Sequence, residues 1–407
     1  MKLSQFKLLI FTFFNDFGSN IFTFAINLYI LKITGSALAF STGMIIIPIV
    51  NMFFFSSSAN IINKYGAKKT ILLSFLGAII SLLCNLSIIS IVDTKYYTIS
   101  ILLFQIFILR VCDILIQVSL MILLPQIIES NDLQRVNSSI QTTSRLSGII
   151  SPFIAGSLFA IIPIQIIGTI ELILDVICLT TILSIKESAK SEIDVPKTSS
   201  MEKNNKKTSI YKNIQYILGH NMVLGFLILC ILMNIGLGAF QVGIPYLMME
   251  KMNYTSAEYG LIESFFAFGS LLSGILLSIL NKDFSLRASY STFLLFSLSF
   301  LGIGIGLYLT GHFTVLIILL GSIFIMGIGT TLSSVTMITL FQKNVPQEKQ
   351  AHVFSFFDTV VTASIPIFIA LFGILFQKNS NPLIFIIISI IVTLSVLLCN
   401  LKLSYKK

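Results

Sequence analysis

The sequence lacks tryptophan and is poor in charge, since only 11% of its 407 residues are Asp, Glu, Lys or Arg, against about 25% in soluble domains. Its three His and five Cys are scattered, without a Cys-x-x-Cys pair or a Cys/His cluster. A disulfide scaffold and a zinc site are therefore not expected. A G-x-x-x-x-G-K-[ST] phosphate-binding loop is also missing, as is a Ser/His/Asp grouping in a catalytic context. The sequence predicts neither an enzyme nor a bound cofactor.

The sequence instead contains long apolar runs. Hydrophobic residues make up 55% of the chain, and the mean hydropathy is +0.95. A membrane-spanning helix needs roughly 20 mostly apolar residues. The runs are continuous rather than alternating, which favours helices over a barrel. About twelve spans are predicted, near residues 8–31, 37–60, 70–92, 98–124, 136–161, 164–185, 221–247, 257–280, 290–310, 313–341, 351–376 and 382–401.

One polar, Lys-rich break, Lys186–Asn213, divides the spans into six and six. Its composition is typical of a flexible linker. The predicted organisation is an N-terminal six-helix half at 1–186, a cytoplasmic linker at 187–214 and a C-terminal six-helix half at 215–407.

The two halves resemble each other weakly. The fifth and eleventh spans are each entered through a short polar segment, and each later contains a proline, Pro152 or Pro366. Two six-helix repeats of the same topology are related by an axis along the membrane normal, and such pairs place a substrate site at their interface. Chance similarity between apolar helices is the alternative interpretation.

The net charge of +9 is unevenly distributed. If the N-terminus is inside, the inner loops and the linker hold most of the Lys and Arg, and the outer loops keep only Lys32, Lys95, Lys251 and Lys378. This asymmetry predicts that both termini lie in the cytoplasm of a bacterial-type cell membrane. Attraction to anionic lipid headgroups accounts for the basic surplus, so no nucleic-acid partner is expected.

Eight charged residues lie inside the apolar spans. A charge at the bilayer centre costs at least about 2.5–3.5 kcal/mol, so each is expected to face the bundle interior or a watery cavity. The acids outnumber the bases by six to two, which favours cationic substrates. The eight are Asp16, Arg110, Asp113, Arg145, Glu171, Asp175, Glu263 and Asp358.

Polar residues on the first span follow a helical stripe. Asp16, Asn20, Thr23 and Asn27 share one helix face. Such a stripe lines a cavity or bonds a neighbouring helix, and we favour the cavity because interhelical bonds in membranes average only about 0.6 kcal/mol. Asn234 and Gln241 mark a similar stripe on the seventh span.

The fourth span places Arg110, Asp113 and Gln117 on one face. Arg110 and Asp113 are near enough to pair. One interpretation is a structural pair that makes insertion tolerable. The other is a protonation switch, in which Arg110 favours the ionised carboxylate and burial favours the neutral acid.

The fifth and sixth spans carry further charges. Arg145 precedes Pro152 on the fifth span and is a candidate partner of Asp113 or Asp175. Glu171 and Asp175 are both acidic and four residues apart, so one of them is expected to hold a proton near neutral pH. Glu171 is equally compatible with a solvated position near the outer surface.

The order of the spans and several motifs resemble the major facilitator superfamily, in particular the drug-exporter branch that includes macrolide-efflux proteins. The family's loop between spans two and three follows the pattern G-x-x-x-D-R-x-G-R-R/K. Gly66 and the basic residues match this pattern, whereas Asn63 replaces the family's Asp. The residues expected to act in gating are Pro152, which permits the fifth span to bend during rocking, and five residues of this loop, Asn63, Lys64, Gly66, Lys68 and Lys69.

Two further matches are partial. Arg110 corresponds to the Arg on span four of proton-coupled exporters, although Asp113 stands near a position where a small residue is usual. The Gly-Pro pair of the antiporter motif on span five is reduced to Ser151-Pro152. These departures weaken the likeness to antiporters more than the likeness of fold.

The resemblance implies an all-α membrane fold of two six-helix halves that rock to export a hydrophobic compound, cationic or neutral, such as a macrolide, in exchange for protons. The partners would be that compound, protons and the bilayer, with the protein a monomer. Candidate proton-coupling residues are Asp113, Arg110, Asp16, Asp175 and Asp358. Candidate substrate-binding residues are Asp16, Asn20, Asn27, Gln117, Arg145, Glu171, Asn234, Gln241, Glu263 and Asp358. Export of an endogenous metallophore, peptide signal or lipid, or a non-transporting immunity or sensor role, are the alternatives.

The charge asymmetry generates a topological prediction. In a Cys-free background, a single Cys placed in the linker should resist a membrane-impermeant thiol reagent in intact cells and react after the cells are opened. A single Cys beside Lys95 serves as the control and should react in intact cells. Ready labelling of the linker in intact cells would contradict the predicted orientation.

Overall fold

The computed structural model describes residues 3–89, 94–185, 219–280 and 285–404. Within these ranges the chain forms twelve long α-helices, each with a segment long and apolar enough to cross a membrane, which confirms the predicted all-helical membrane fold. The predicted linker, 187–214, lies outside the described residues. The helices are α1 (Leu3–Thr34), α2 (Ala37–Tyr65), α3 (Ala67–Ile89), α4 (Lys95–Ile127), α5 (Ser130–Ile161), α6 (Ile164–Leu183), α7 (Asn221–Pro245), α8 (Ser256–Leu280), α9 (Leu286–Gly306), α10 (His312–Asn344), α11 (Gln347–Lys378) and α12 (Leu383–Ser404).

Local sequence signals set several helix ends. Ser36 caps α2 by accepting a hydrogen bond from the amide of Ala39 at 3.2 Å. At the other end, Gly66 adopts φ +82° and its amide bonds the carbonyl of Ile62 at 2.8 Å. A side chain is strained at such a φ, so glycine lets α3 begin one residue after α2 ends. At the start of α8, Thr255 and Glu258 bond each other's amides in a capping box.

The first compact unit comprises α1–α6 together with Met248–Ser264. Helix α1 lies at its centre, packed along α5 and α6 and touching α2 and α4, while α3 packs on α4 and α6. Phe11 of α1 meets Phe75 of α3 edge to face, with ring centroids 5.7 Å apart. These rings belong to a buried apolar core that also includes Leu123 and Cys178. Helix α1 thus packs most extensively on α5 and α6, and it meets α3 through Phe11 and Phe75.

The second compact unit comprises the described residues within Thr198–Leu247 and Phe265–Lys407. Its helix α7 packs on α11 and α12, and α9 packs on α10 and α12. Each of these helices corresponds to the helix six places earlier in the chain. The same pairings therefore occur in the first unit, as α1–α5, α1–α6, α3–α4 and α3–α6. The repeated pairing accords with the weak internal repeat of the sequence.

A wide helical turn follows α7. Residues Tyr246–Lys251 form a π-helix directly after Pro245. Proline has no amide hydrogen, so it removes one bond of the regular α-helical ladder, and a wider turn accommodates the loss. The sequence analysis did not predict this turn. It immediately precedes α8, whose first residues pack with the first unit.

Two glycines bring α5 and α8 into backbone contact. The Ser256 hydroxyl donates to the carbonyl of Gly156 at 2.8 Å. A methyl group on Gly156 would overlap the Ser256 carbonyl, and one on Gly260 would overlap the carbonyl of Pro152. Small residues permit such close helix contacts in membrane proteins.

We expect Gly156→Ala to lower the apparent melting temperature of the purified protein. Overpacking of a tight contact costs about 1–3 kcal/mol, and the obstacle here is backbone that cannot rotate away. Gly148→Ala is the matched control, because it lies on the same helix and a methyl group there meets nothing within 4 Å. Equal melting temperatures for the two variants would show that the contact is loose.

Candidate substrate cavity

A cavity of about 570 Å³ opens in the first unit between α1, α4 and α5. It lies beside residues 11–20 of α1, 110–124 of α4 and 137–145 of α5. Its polar lining consists of Thr12, Asn15, Asp16, Ser19, Asn20, Arg110, Asp113, Gln117, Asn137, Gln141, Ser144 and Arg145. Its apolar lining consists of Phe11, Ile116, Leu120, Met121, Leu124 and Ile140.

The carboxylate of Asp113 is held from two sides. Ser19 of α1 donates its hydroxyl to Asp113 Oδ2 at 2.7 Å, and a guanidinium nitrogen of Arg110 lies 3.9 Å from the same oxygen. Arg110 Nε instead donates to Asn51 Oδ1 of α2 at 2.9 Å. Arg110 is therefore anchored by a neutral residue and interacts with Asp113 electrostatically, at longer than hydrogen-bond distance.

Asp16 is bound only by neutral donors. Ser144 of α5 donates its hydroxyl to Asp16 Oδ2, and the side-chain amide of Asn15 donates to Asp16 Oδ1 at 3.2 Å. Within the described residues Asp16 has no Lys or Arg partner at ion-pair distance. The polar stripe predicted on α1 thus borders the cavity at Asp16 and Asn20.

Arg145 follows Ser144 on α5 and also lines the cavity. Its side chain is exposed. Across the parts of the chain that the structure describes, it has neither a hydrogen-bond nor an ion-pair partner. The suggested pairing of Arg145 with Asp113 or Asp175 is therefore not formed in this structure. Gln117 of α4 is likewise exposed at the cavity wall.

Glu171 and Asp175 of α6 lie outside the cavity, buried against α1. Their side chains are 3% and 6% exposed, so the solvated position considered for Glu171 is not observed. Glu171 packs against Gly18, where a methyl group would overlap its carboxylate. Glu171 Oε2 and Asp175 Oδ2 have no hydrogen-bond partner among the described residues. That one of them holds a proton stays a prediction.

Asn27 also lies away from the cavity. It is 3% exposed, and its side-chain amide donates to the carbonyl of Thr23 at 2.9 Å. Its side-chain oxygen faces Gly43 of α2, where a methyl group would overlap it. The end of the α1 stripe therefore contributes to the α1–α2 contact, the second of the two roles considered for it.

The predicted residues of the second unit are dispersed. Asn234 of α7 donates to the carbonyl of Val361 at 2.8 Å and to the hydroxyl of Ser364 at 3.0 Å, which ties α7 to α11. Gln241 is partly buried, and Asp358 of α11 is exposed rather than buried.

Glu263 of α8 lies in the segment that packs with the first unit. It accepts the hydroxyl of Tyr259 at 2.7 Å, and the Tyr259 ring stacks on Phe24 of α1 with centroids 5.4 Å apart. This carboxylate is thereby fixed beside α1, a placement that its position in the C-terminal half of the sequence did not indicate.

The loop between α2 and α3 is organised around Gly66. Lys68 Nζ donates to the carbonyl of Ile185, just after α6, at 2.6 Å, and Lys64 lies 5.1 Å from the ring centroid of Tyr65. Asn63 and Lys69 are exposed. The contacts give the loop a helix-joining role, and its role in gating stays a prediction. Pro152 lies elsewhere, at the α5–α8 contact.

Sequence reasoning did not single out Ser19, Asn51 or Ser144. Each is an isolated polar residue in an apolar or mixed segment, and its partner lies on a different helix. Ser19 and Ser144 each neighbour a predicted site residue, Asn20 or Arg145. For Asn51, the only signal available was a single amide within an apolar run.

Twelve helices of spanning length in the described residues define a polytopic membrane protein, and comparisons with known proteins identify its family. The sequence profile of the Major Facilitator Superfamily matches residues 8–368 and 226–407. The chain therefore belongs to the major facilitator superfamily. No curated protein matches it.

Solved structures share this fold at low sequence identity. A bacterial homologue of the iron transporter ferroportin, in an inward-facing state, has a TM-score of 0.76 at 14% identity, with 98% of this chain and 99% of that chain covered. The nucleoside transporter NupG has a TM-score of 0.67 at 14% identity, with 98% and 98% covered. A peptide transporter POT mutant has 0.72 at 13%, with 97% and 93% covered. At these identities the likeness extends to the fold alone.

The contacts of Arg110 generate a stability prediction. Arg110→Gln leaves the Asp113 carboxylate without its cation, and loss of one partner of a buried pair costs about 3–5 kcal/mol when solvent is excluded. Because the pair lines the cavity, water lowers this cost, but the variant is still expected to be less stable than the wild type. We expect Arg110→Gln to melt at a lower temperature than the double variant Arg110→Gln/Asp113→Asn, which removes both charges.

Thermal unfolding of the purified variants in one detergent measures the difference. A double variant that is destabilised by the sum of the two single effects would mean that the two charges do not interact.

Proposed function

We propose that the chain is a secondary transporter that exports a hydrophobic compound bearing a cationic group, in exchange for protons. The cavity between α1, α4 and α5 is the substrate site in this proposal, and the Arg110–Asp113 pair is the coupling site. Transport proceeds by alternating access of the two halves across a bacterial-type plasma membrane, with both termini in the cytoplasm.

The observation that carries the proposal is the second anchor of Arg110. Its hydrogen bond goes to Asn51 at 2.9 Å, whereas Asp113 is 3.9 Å away. Protonation of Asp113 therefore breaks no direct hydrogen bond of Arg110. A carboxylate beside a cation that has another partner can gain and lose a proton as the cavity changes, which is the requirement for coupling.

The composition of the cavity supports a lipophilic substrate. Its wall combines Phe11, Met121 and several branched aliphatic side chains with convergent polar groups. Ligand sites are typically apolar with a few placed polar groups, and methionine adapts to ligands of varied shape. A carboxylate such as Asp16 gives a cationic group a counter-charge.

The sequence supports a gradient, of an ion or of the substrate itself, as the source of energy. The chain has no phosphate-binding loop of the G-x-x-x-x-G-K-[ST] type, and the superfamily match covers both halves. An ion gradient is then the natural drive for uphill export. The substrates named for the structural neighbours, iron, nucleosides and peptides, differ among themselves and favour no single class for this chain.

We expect Asp113→Asn to abolish the response of transport to a pH gradient while downhill exchange persists, because the amide cannot take up and release a proton. The measurement is flux of rhodamine 123, a fluorescent lipophilic cation, in proteoliposomes with the membrane potential clamped and a pH gradient imposed. Asp132→Asn is the control. It removes a carboxylate on α5 that bonds Gln5 and does not line the cavity.

An unchanged gradient response in the Asp113→Asn vesicles would make the pair structural and move the coupling role to Asp16, Asp175 or Asp358. Absence of dye flux from wild-type vesicles under any gradient would contradict drug export. An endogenous product or a sensor role would then be favoured.

A further inference from the structure

The charges in the cavity wall are not all paired with one another. Arg110 and Asp113 face each other on α4. The two remaining charged residues of the wall, Asp16 and Arg145, have no ionic partner within the described ranges. The cavity thus presents one unpaired carboxylate and one unpaired guanidinium.

Arg145 is available to bind an anion. It lies on a helix with a segment long and apolar enough to cross a membrane, where a cation is costly unless it is paired or hydrated. Its side chain is exposed to the cavity, and no carboxylate or carbonyl of the described chain bonds it. The planar guanidinium fork matches carboxylate and phosphate oxygens, which it binds with two parallel hydrogen bonds.

Asp16 is likewise available to bind a cation. Its donors, Ser144 and Asn15, are neutral, so they solvate the negative charge without cancelling it. Ser144 directly precedes Arg145 on α5. The Ser144–Asp16 hydrogen bond therefore holds the carboxylate and the guanidinium on adjoining parts of one wall.

We infer that the cavity binds an amphoteric compound, with its cationic group at Asp16, its anionic group at Arg145 and its apolar body against the aliphatic and aromatic wall. The inference rests on the proposed function in so far as this cavity is the substrate site. It narrows the substrate from a lipophilic cation to a compound that also carries a carboxylate or phosphate. Such a ligand neutralises both unpaired charges at once.

A matched pair of dyes tests the inference. Rhodamine 110 carries a cationic ring system and a free carboxylate, and rhodamine 123 is its methyl ester, which keeps the cation and lacks the anion. We expect purified wild-type protein in detergent to bind rhodamine 110 about tenfold more tightly, which corresponds to about 1.4 kcal/mol for one added charged contact. Fluorescence polarisation titration at fixed pH gives both dissociation constants.

Three variants assign the preference to a side chain. Arg145→Gln should weaken rhodamine 110 about tenfold, change rhodamine 123 little and so erase the preference. Arg145→Lys keeps the charge without the fork and should retain part of it. Arg135→Gln is the control, because it removes the same charge from the same helix at a position that lines a separate surface groove. Asp16→Asn should weaken both dyes, since both carry the cation.

Each outcome decides the inference. The inference is supported if the protein prefers rhodamine 110, loses the preference in Arg145→Gln and keeps it in Arg135→Gln. It is overturned if the two dyes bind equally, if rhodamine 123 binds more tightly or if neither dye binds. It is also overturned if the preference survives Arg145→Gln. The titration uses no proton gradient, so it gives its answer even if the vesicle experiment on Asp113 excludes proton coupling. Conversely, rhodamine 123 could be transported in response to the gradient while the protein shows no preference for rhodamine 110. That result would support the proposed function and contradict the inference.

Discussion

A charged side chain in the hydrocarbon region must be neutralised, solvated by donors or exposed to water, because lipid tails provide neither hydrogen-bond partners nor counter-charges. The first unit of this protein satisfies that constraint in several ways at once. Asp113 has a cation and a hydroxyl, and Asp16 has two neutral donors. Glu171 and Asp175 are the exception, because each is buried and has one carboxylate oxygen without a hydrogen-bond partner among the described residues. Helix α1 supplies a face to each arrangement, which is why so much of the unit packs on it.

The fold was largely predictable because its signal is continuous. Twelve apolar runs of spanning length, one polar break and the Gly66 turn all follow from local composition and backbone sterics. The site was predictable only in part. The spacing of Asp16 and Asn20, or of Arg110, Asp113 and Gln117, identifies a shared helix face, and the structure places those residues along one cavity.

What spacing cannot give is the identity of the helix that faces a residue. Asn27 continues the α1 stripe in sequence, yet it turns to α2 beside Gly43. Glu171 is buried because Gly18 leaves room for its carboxylate on α1. Asn51 holds Arg110 from α2, 59 positions away in the chain. These outcomes depend on which helix surfaces meet. The spacing of residues along one helix identifies a shared face, but it does not identify the helix that packs against that face.

The segment Met248–Ser264 shows the same limit at a larger scale. By its place in the sequence it belongs to the C-terminal half, but it packs with the first unit through glycines that let two backbones approach and through a serine hydroxyl that donates to a backbone carbonyl. The π-helical turn after Pro245 precedes it. Both features arise from backbone details, a missing amide hydrogen and missing Cβ atoms, that hydropathy does not register.

The residues that pack α1 against its neighbours differ from those that face the cavity, and this separation affects how the sequence can change. The contacts that hold the helix to α3 and α6 involve Phe11, Gly18 and their neighbours, while ligand-facing charges occupy Asp16 and, on α5, Arg145. Exchange of one or two wall side chains can therefore alter the chemical range of the cargo and leave the scaffold intact. New cavity chemistry can therefore arise in this architecture through few substitutions, each of which leaves the packing of α1 on α3 and α6 in place.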